Sequence, residues 1–312
     1  MNKASIAIVI PVYNVENYIK KTLDSVKNQL SKPDEVIIIN DGSTDNSAKI
    51  IKDYRNLNNW RIINKKNEGL GLTRNYGISI TKSEYIYFLD SDDILKQDLI
   101  IRLREVIIKY NKPEMILFSG EFFNDGKHQN LKINLKFSLQ GEFTRNSRLI
   151  SKLSKKKEIL PQAGRYLTKV NLWLNNNLNY PKGIAEDEAV FFPLLALSKK
   201  TIVIRKILYK YRVGRSDSIT MSPLNPRHKK DYLKRIHDTI KFMKLNKNLI
   251  IKDIKAWNSR LEKKGINLVS FCLRTNNSID WNVIFLIFLH TKKISFLIKV
   301  SWRLFKYLFL RK

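Results

Sequence analysis

The sequence predicts an α/β protein built on a doubly wound sheet, and three observations predict this class. Short runs of β-branched and aromatic residues recur along the first hundred residues. Stretches with helical spacing of apolar residues separate them, so strands and helices alternate as in parallel βαβ units. The runs IAIVI and VIII are apolar throughout, as expected of strands that helices cover on both faces.

The predicted elements follow in chain order. Strands are expected at 6–12, 35–40, 60–64 and 85–89, and helices at 15–29 and 45–54, where apolar residues recur at helical spacing. After residue 110 the alternation of strands and helices becomes less regular. The run MILFSG is followed by an expected helix at 185–197 and by the strand-like runs TIVI and ILYKY. From about residue 227 onward only helices are predicted.

Charge divides the 312-residue chain into two parts. Its net charge is +30, yet residues 1–93 carry 13 basic and 12 acidic side chains. The rest of the chain is therefore strongly basic. A nucleic-acid-binding protein is one interpretation of this charge, but zinc-finger spacing and RNA-recognition motifs are missing. Because the first third is neutral with an acidic edge, we expect no nucleic-acid partner.

The expected compartment is the cytoplasm. Cys272 is the single cysteine, so no internal disulfide can form, which is typical of a reducing environment. The apolar stretch before Pro11 is too short for a signal peptide. No run reaches the ~20 apolar residues of a membrane-spanning helix.

Polar residues follow the expected strands at the edge where ligands bind in such sheets. Asp90 to Asp93 place three carboxylates close together, which indicates a cation such as Mg²⁺ or Mn²⁺ bridging a nucleotide diphosphate. The alternative is an N-cap for a helix expected near Ile94. Asp41 follows the second strand, where a carboxylate can accept hydrogen bonds from a base or ribose. The alternative is an aspartate that stabilises the turn and caps the next helix.

Two further segments carry candidate chemistry. In 69–75, two glycines precede a helix and Arg74 could stabilise a leaving diphosphate. Taken alone, the segment favours the alternative, an ordinary loop with a surface arginine. Glu186 to Glu188 are expected at the start of a helix, where the helix dipole favours acidic residues. The alternative is that one of these acids serves as a general base. No G-x-G-x-x-G follows the first strand and no P-loop motif occurs, which argues against a dehydrogenase or a P-loop enzyme.

The order of these segments resembles the inverting family 2 glycosyltransferases with the GT-A nucleotide-sugar fold, of the bacterial cell-surface polysaccharide or lipooligosaccharide type. The matching segments are IPVYN at 10–14, DGSTD at 41–45, GLTRNYG at 71–77, LDSDD at 89–93, Glu186 with Asp187, and YRVGRSDSIT at 211–220. The resemblance implies a GT-A catalytic domain at 1–220 on a mixed sheet. Within it, 1–120 would bind the nucleotide sugar and 121–220 the acceptor, and 221–312 would be a basic helical extension.

The resemblance also implies residue roles. It assigns the nucleotide base to Pro11, Tyr13 and Asp41, and the catalytic base to Asp187. Mn²⁺ or Mg²⁺ is assigned to Asp92, with Asp90 as its second partner nearer the ribose or sugar. The loop from Arg215 to Ser218 would lie near the diphosphate or the acceptor. Because Glu188 adds a third acid, the choice of base among the three rests on alignment with the family's Glu-Asp pair. The Q-x-x-R-W motif of processive synthases is missing after Asp187, so transfer of a single sugar is expected.

The implied activity is metal-dependent transfer of a hexose or N-acetylhexosamine from a UDP-sugar to a hydroxyl of a lipid-linked or lipopolysaccharide glycan, with a β-linked product. A nucleotidyltransferase on a similar sheet is the alternative, and it would release pyrophosphate. Residues 281–312 contain seven basic and no acidic side chains among many aromatics. This pattern predicts a helix in the interface of an anionic membrane, or alternatively a segment packed on the catalytic domain. The expected enzyme is cytoplasmic, peripherally associated with the inner face of the cell membrane, and acts on a membrane-bound acceptor.

Overall fold

The computed structural model describes residues 4–124, 135–145, 147–183, 186–214, 225 and 228–309. The chain forms two compact units, residues 1–215 and residues 216–312.

The first unit contains a mixed sheet and seven α-helices within its described residues. The strands are β1 (Ile6–Val12), β2 (Glu35–Asp41), β3 (Trp60–Lys65), β4 (Tyr85–Phe88), β5 (Ile94–Leu95), β6 (Met115–Phe123), β7 (Gly141–Thr144), β8 (Tyr166–Lys169) and β9 (Lys200–Arg212). The helices are α1 (Ile19–Lys27), α2 (Ser47–Lys52), α3 (Leu70–Ile80), α4 (Leu99–Lys109), α5 (Leu149–Lys155), α6 (Val170–Leu174) and α7 (Glu186–Leu197).

The sheet order is β3-β2-β1-β4-β8-β6-β9-β5, and β7 also pairs with β9. The strands β3, β2, β1 and β4 run parallel to one another, whereas β8 is antiparallel to both β4 and β6. The four parallel strands are those expected from the sequence. The predicted α/β class with a doubly wound mixed sheet is confirmed.

Helices cover both faces of the central strand β1. Ile8 belongs to a buried cluster that includes Ile19 of α1 and Leu103 of α4. The neighbouring residue Val9 points the other way and contacts Gly77 of α3. Because successive side chains in a strand face opposite sides, a strand covered twice must be apolar throughout. This is the physical reason for the runs IAIVI and VIII.

Two local predictions differ from the structure. The helix expected near Ile94 begins only at Leu99, and Ile94–Leu95 instead form β5, which pairs with Tyr209 and Lys210 of β9. The runs TIVI and ILYKY belong to one long strand, β9, with register shifts against β6 at Ser119. The irregular register bends the strand locally, so β9 can pair with β7 along its first residues and with β5 further on.

The second unit is helical throughout its described residues. Its helices are α8 (Lys229–Leu245), α9 (Lys247–Ile250), a short 3₁₀ turn (Ile251–Asp253), α10 (Ile254–Arg274), α11 (Trp281–Thr291) and α12 (Ile294–Phe309). Helix α10 contacts α8, α11 and α12. Gly265 permits this packing, because a Cβ there would lie 2.8 Å from Ile287 and 2.9 Å from the ring of Phe296. Over the described part of the chain, no helix combines the length and apolar character needed to cross a membrane.

Replacing Gly77 with alanine should lower the free energy of unfolding by about 1–3 kcal/mol. The added Cβ would lie 2.5 Å from Val9 Cγ1 in the central strand. Helix propensity alone predicts the opposite sign, since alanine is favoured over glycine by about 1 kcal/mol. Denaturant unfolding followed by circular dichroism measures the change, with Ser79→Ala on the exposed side of the same helix as the control. A more stable Gly77→Ala protein would contradict this account of the packing.

Candidate active site

Three candidate segments meet at one edge of the sheet. Strands β1, β2 and β4 are parallel neighbours, so their carboxyl ends lie together. Pro11 is buried within β1, and Tyr13, directly after the strand, is 49% exposed. Asp41 ends β2, and Asp90 follows β4. The fold therefore gathers these residues at the edge where the sequence predicts the ligand.

The loops after β1 and β2 are joined by hydrogen bonds. Asn14 has a left-handed backbone, with φ of 49°, and its Oδ1 accepts a hydrogen bond of 2.8 Å from the backbone N–H of Thr44. Ser43 Oγ accepts one of 3.2 Å from the backbone N–H of Asn14. Gly42 has φ of 73°, and a Cβ at this position would lie 2.9 Å from the backbone nitrogen of Asn67. The turn after Asp41 therefore requires glycine.

Asp41 is a buried carboxylate with several partners. Its oxygens accept hydrogen bonds from Lys65 Nζ at 2.6 Å and from the backbone N–H groups of Glu68 at 3.1 Å and Gly69 at 2.9 Å. Burial raises the pKa of Asp41, but these hydrogen bonds outweigh it and the pKa lies below its usual value. Asp41 is therefore ionised and fixes the turn that precedes α3.

Arg74 is the centre of the site, and it is fully buried. Its Nη2 donates to Asp90 Oδ1 at 2.6 Å. Its Nη1 donates to Glu186 Oε1 at 2.8 Å and to Asp187 Oδ1 at 2.6 Å. One guanidinium thus joins the loop after β4 to the first turn of α7. The surface position considered for Arg74 is wrong, and its guanidinium faces carboxylates rather than solvent.

Neighbours of Arg74 on α3 fix the segment that leads into α7. Asn75 exchanges two hydrogen bonds of 2.8 Å with the backbone of Tyr180. A Cβ on Gly71 would lie 2.3 Å from the carbonyl oxygen of Pro181. The guanidinium carbon of Arg74 lies 5.2 Å from the ring centre of Tyr180, a cation–π contact. The segment GLTRNYG therefore serves as a docking surface for the chain before α7.

Asp187 has an environment suited to a general base. Burial raises its pKa; Arg74 lowers it, while Glu186 and Asp90 raise it further, and the result is about 8. Its second oxygen accepts a hydrogen bond of 3.3 Å from the backbone N–H of Ala163. A carboxylate with a raised pKa binds a proton more strongly, which is the property a general base needs.

Asp93 differs in role from Asp90 and Asp92. It is fully buried, accepts a hydrogen bond from the hydroxyl of Tyr209, and accepts another of 2.7 Å from the backbone N–H of Arg212. Burial raises its pKa well above the usual value, with a contribution from Asp92 and Asp90. The helix-cap interpretation of Asp93 is wrong, because this carboxyl joins the loop to β9.

A divalent cation fits the remaining groups of the loop. Asp90, with its side chain 25% exposed, and the partly exposed Asp92 supply carboxylates. The guanidinium of Arg74 is shared among Asp90, Glu186 and Asp187, and Asp92 lies in the same loop as Asp90, so a further positive charge is compatible with the site. Over the described residues no group of three or more His, Cys, Asp or Glu side chains is arranged as a metal site. Mg²⁺ commonly takes one or two carboxylates and completes its coordination with substrate phosphates and water, so Asp92 and Asp90 are sufficient.

Sequence reasoning missed several residues of this site. Tyr180, whose ring lies beside Arg74, was given no role, Glu186 was considered only as a candidate base, and Arg212 was not singled out. Arg212 Nε donates to the carbonyl oxygen of Asp92 at 2.6 Å, which holds the Asp92 backbone in place. Arg215, expected near the diphosphate, lies outside the described residues.

Comparison with known proteins identifies the family. Residues 7–161 match the model of Glycosyl transferase family 2. Glycosyltransferase GlyA of Streptococcus pneumoniae is 32% identical over 213 residues, which are 67% of this chain and 30% of that protein. Minor teichoic acid biosynthesis protein GgaB of Bacillus subtilis is 27% identical over 219 residues, which are 69% of this chain and 24% of that protein. The chain thus spans less than a third of either relative.

The crystal structure of S. aureus TarS 1-349 in complex with UDP-GlcNAc superposes with a TM-score of 0.69 at 18% identity. The match covers 97% of this chain and 90% of that one. It confirms the GT-A fold. The family match over residues 7–161, together with this fold, indicates a glycosyltransferase. The chain belongs to glycosyltransferase family 2.

Replacing Arg74 with alanine should lower the free energy of unfolding at pH 8 by about 3–5 kcal/mol, because it leaves neighbouring carboxylates without their cation. The loss should shrink towards pH 5, where Asp187, with its pKa of about 8, is protonated and needs no cation. Denaturant titrations at both pH values measure it. Arg102→Ala is the matched control, since Arg102 also pairs with two acids, Asp98 and Glu105, but on the surface. Equal effects of the two substitutions would refute the central role of Arg74.

Proposed function

We propose that this protein transfers one sugar from a UDP-sugar to a hydroxyl group of a cell-surface glycan acceptor, with inversion at the anomeric carbon. The observation that carries the proposal is the bridge made by Arg74. It places the expected donor carboxylate Asp90 and the expected base Asp187 on one guanidinium, at 2.6 Å each. Two groups that act on one sugar must lie close together, and this contact brings them together. We assign the catalytic domain to residues 1–220, with residues 221–312 as an extension.

In the proposed reaction, Asp187 takes the proton of the acceptor hydroxyl as its oxygen attacks the anomeric carbon. The leaving diphosphate departs from the opposite face, so an α-linked donor gives a β-linked product. Arg74 keeps the carboxylate of Asp187 oriented through Oδ1, while the N–H of Ala163 approaches Oδ2 at 3.3 Å. The orientation is fixed before substrate binds, which lowers the entropic cost of the attack.

The donor would lie along the carboxyl edge of the sheet. Tyr13 and Pro11 would contact the base, with Asp41 below it, and Asp92 with Asp90 would hold Mn²⁺ or Mg²⁺ beside the diphosphate. The cation, when bound, supplies positive charge for the leaving group. Arg215 is proposed to lie near the diphosphate. Arg74 is proposed to act at the diphosphate indirectly, by orienting the carboxylate of Asp90.

The donor and acceptor classes rest on the relatives. TarS binds UDP-GlcNAc in the structure that superposes on this chain, which supports a UDP-hexose or UDP-N-acetylhexosamine donor. GgaB is a protein of teichoic acid biosynthesis, which supports a cell-envelope glycan as the acceptor. The notion of a lipopolysaccharide or lipid-linked acceptor agrees with a basic chain of net charge +30, since anionic acceptors are attracted to it. The proposed place of action is the cytoplasmic face of the membrane.

Asp187→Asn should abolish sugar transfer and leave donor binding nearly intact, because the amide cannot accept the proton. Transfer by the unsubstituted protein should rise with pH as Asp187, with its pKa of about 8, loses its proton. The measurement is UDP release from a panel of UDP-sugars with Mn²⁺, since hydrolysis needs no acceptor, together with donor-induced thermal stabilisation. Glu188→Gln is the control and should retain activity. An active Asp187→Asn protein would show that another acid serves as the base.

Asp92→Ala should remove the Mn²⁺-dependent part of donor binding, because one of the two proposed carboxylate ligands is lost. Donor-induced thermal stabilisation, measured with Mn²⁺ and again with a chelator, reports this binding. The chelator should affect the unsubstituted protein and have little effect on Asp92→Ala. Asp53→Ala, which removes an exposed acid after α2, is the control. Full activity in chelator would exclude the metal role.

A further inference from the structure

Helices α11 and α12 of the second unit carry large apolar side chains on their outer sides. These residues, named here the outer stripe, are between 43% and 70% exposed: Trp281, Phe285 and Leu289 on α11, and Ile294, Ile298, Trp302 and Phe305 on α12. On α11 they recur every fourth residue, and on α12 at intervals of four or three. Such spacing keeps the members on each helix within about 80° around its axis.

The other side of each helix is already packed. Ile284 and Ile287 of α11 are buried, as are Phe296 and Val300 of α12. Ile287 and Phe296 contact α10 at Gly265. Both helices therefore have an apolar inner face that belongs to the core of the unit and a second apolar face that does not. A surface helix normally presents polar residues on its outer side, so the outer stripe needs a separate explanation.

Positive charge surrounds the outer stripe. Residues 281–312 contain seven basic side chains and no acidic one. On α12, Lys299, Arg303 and Lys306 are exposed. Lys306 Nζ lies 6.0 Å from the ring centre of Trp302, which stacks on Phe305 at 5.6 Å. Aromatic and basic side chains are thus interleaved on one surface, as in helices that lie in a membrane interface.

We propose that the outer stripe is the surface by which this protein binds an anionic lipid bilayer. The apolar side chains enter the boundary between headgroups and acyl chains, and the lysines and arginine contact anionic headgroups. With 16 residues, α12 is about 24 Å long and lies along the surface. This agrees with the absence of a membrane-crossing helix among the described residues.

Charge argues against a second copy of the chain as the occupant. Each copy carries a net charge of +30, and 281–312 has no acidic side chain to face a basic neighbour. Like charges brought together across an interface oppose association. An anionic bilayer covers the apolar side chains and neutralises the basic ones at the same time.

The test measures co-sedimentation of the full chain with phosphatidylcholine vesicles, with and without phosphatidylglycerol. Binding should require the anionic lipid and should weaken with added salt. The triple substitution Phe285→Glu, Ile298→Glu and Trp302→Glu should reduce binding by about tenfold or more, because charge replaces inserted apolar surface. Lys299→Gln with Lys306→Gln should reduce it by about fivefold per residue, and this pair leaves the apolar residues unchanged if the triple variant fails to fold.

Matched controls come from the first unit. Leu30 and Ile108 are 70% and 74% exposed apolar residues, and Leu30→Glu with Ile108→Glu should leave vesicle binding unchanged. Lys27→Gln with Lys52→Gln repeats the charge change in the first unit. Equal vesicle binding by the triple variant and the unsubstituted protein overturns the proposal. The proposal is also overturned if the unsubstituted protein does not bind vesicles but self-associates, and the triple substitution abolishes that self-association. Because no sugar donor is used, this result is independent of the proposed transferase activity.

Discussion

The ion-pair cluster of Arg74 is the interaction on which the site depends. A buried guanidinium needs acceptors of opposite charge, and both terminal nitrogens of Arg74 have them, although its Nε has no hydrogen-bond partner. Here the acceptors come from the loop after β4 and from the first turn of α7, 16 and 112 or 113 residues away along the chain. Two distant segments are therefore held at one point, and this cation joins the candidate base to the candidate donor loop.

The rest of helix α3 supports that cluster. Gly77 lets the helix approach β1, Gly71 lets the backbone at Pro181 approach the helix, and Asn75 hydrogen-bonds the backbone of Tyr180. At Gly77 and Gly71 the neighbouring atoms are too close for any side chain, and at Asn75 the paired hydrogen bonds require an amide side chain. The segment GLTRNYG is thus explained by packing and hydrogen bonding, with only Arg74 linked to the chemistry. A phosphate-binding loop requires no such contacts, so the structure changes the interpretation of this motif.

Much of the sheet edge could be predicted from the sequence because its determinants are local. Apolar runs define strands, and polar residues directly after parallel strands must gather at one edge. The environments of Arg74 and Asp93 could not be predicted in this way. Asp93 was interpreted from its neighbours in sequence as a cap, but its partners Tyr209 and Arg212 are 116 and 119 residues away. Contacts over such separations depend on tertiary packing, which single-sequence patterns do not contain. The exposure of the outer stripe could not be predicted for the same reason, because it depends on which helix faces are packed.

Burial is the common cause of the structural and chemical properties of the site. It strengthens the bonds of Arg74 by excluding water, and it raises the pKa of Asp187 by penalising the charged carboxylate. A carboxyl whose pKa is higher in the folded than in the unfolded state favours folding at low pH. That contribution is lost as the pH rises from about 4, the usual pKa of an aspartate, towards the folded value of about 8. Between these two values the folded protein loses part of this stabilisation, which is the cost of holding a strongly basic carboxyl at the position proposed for the general base.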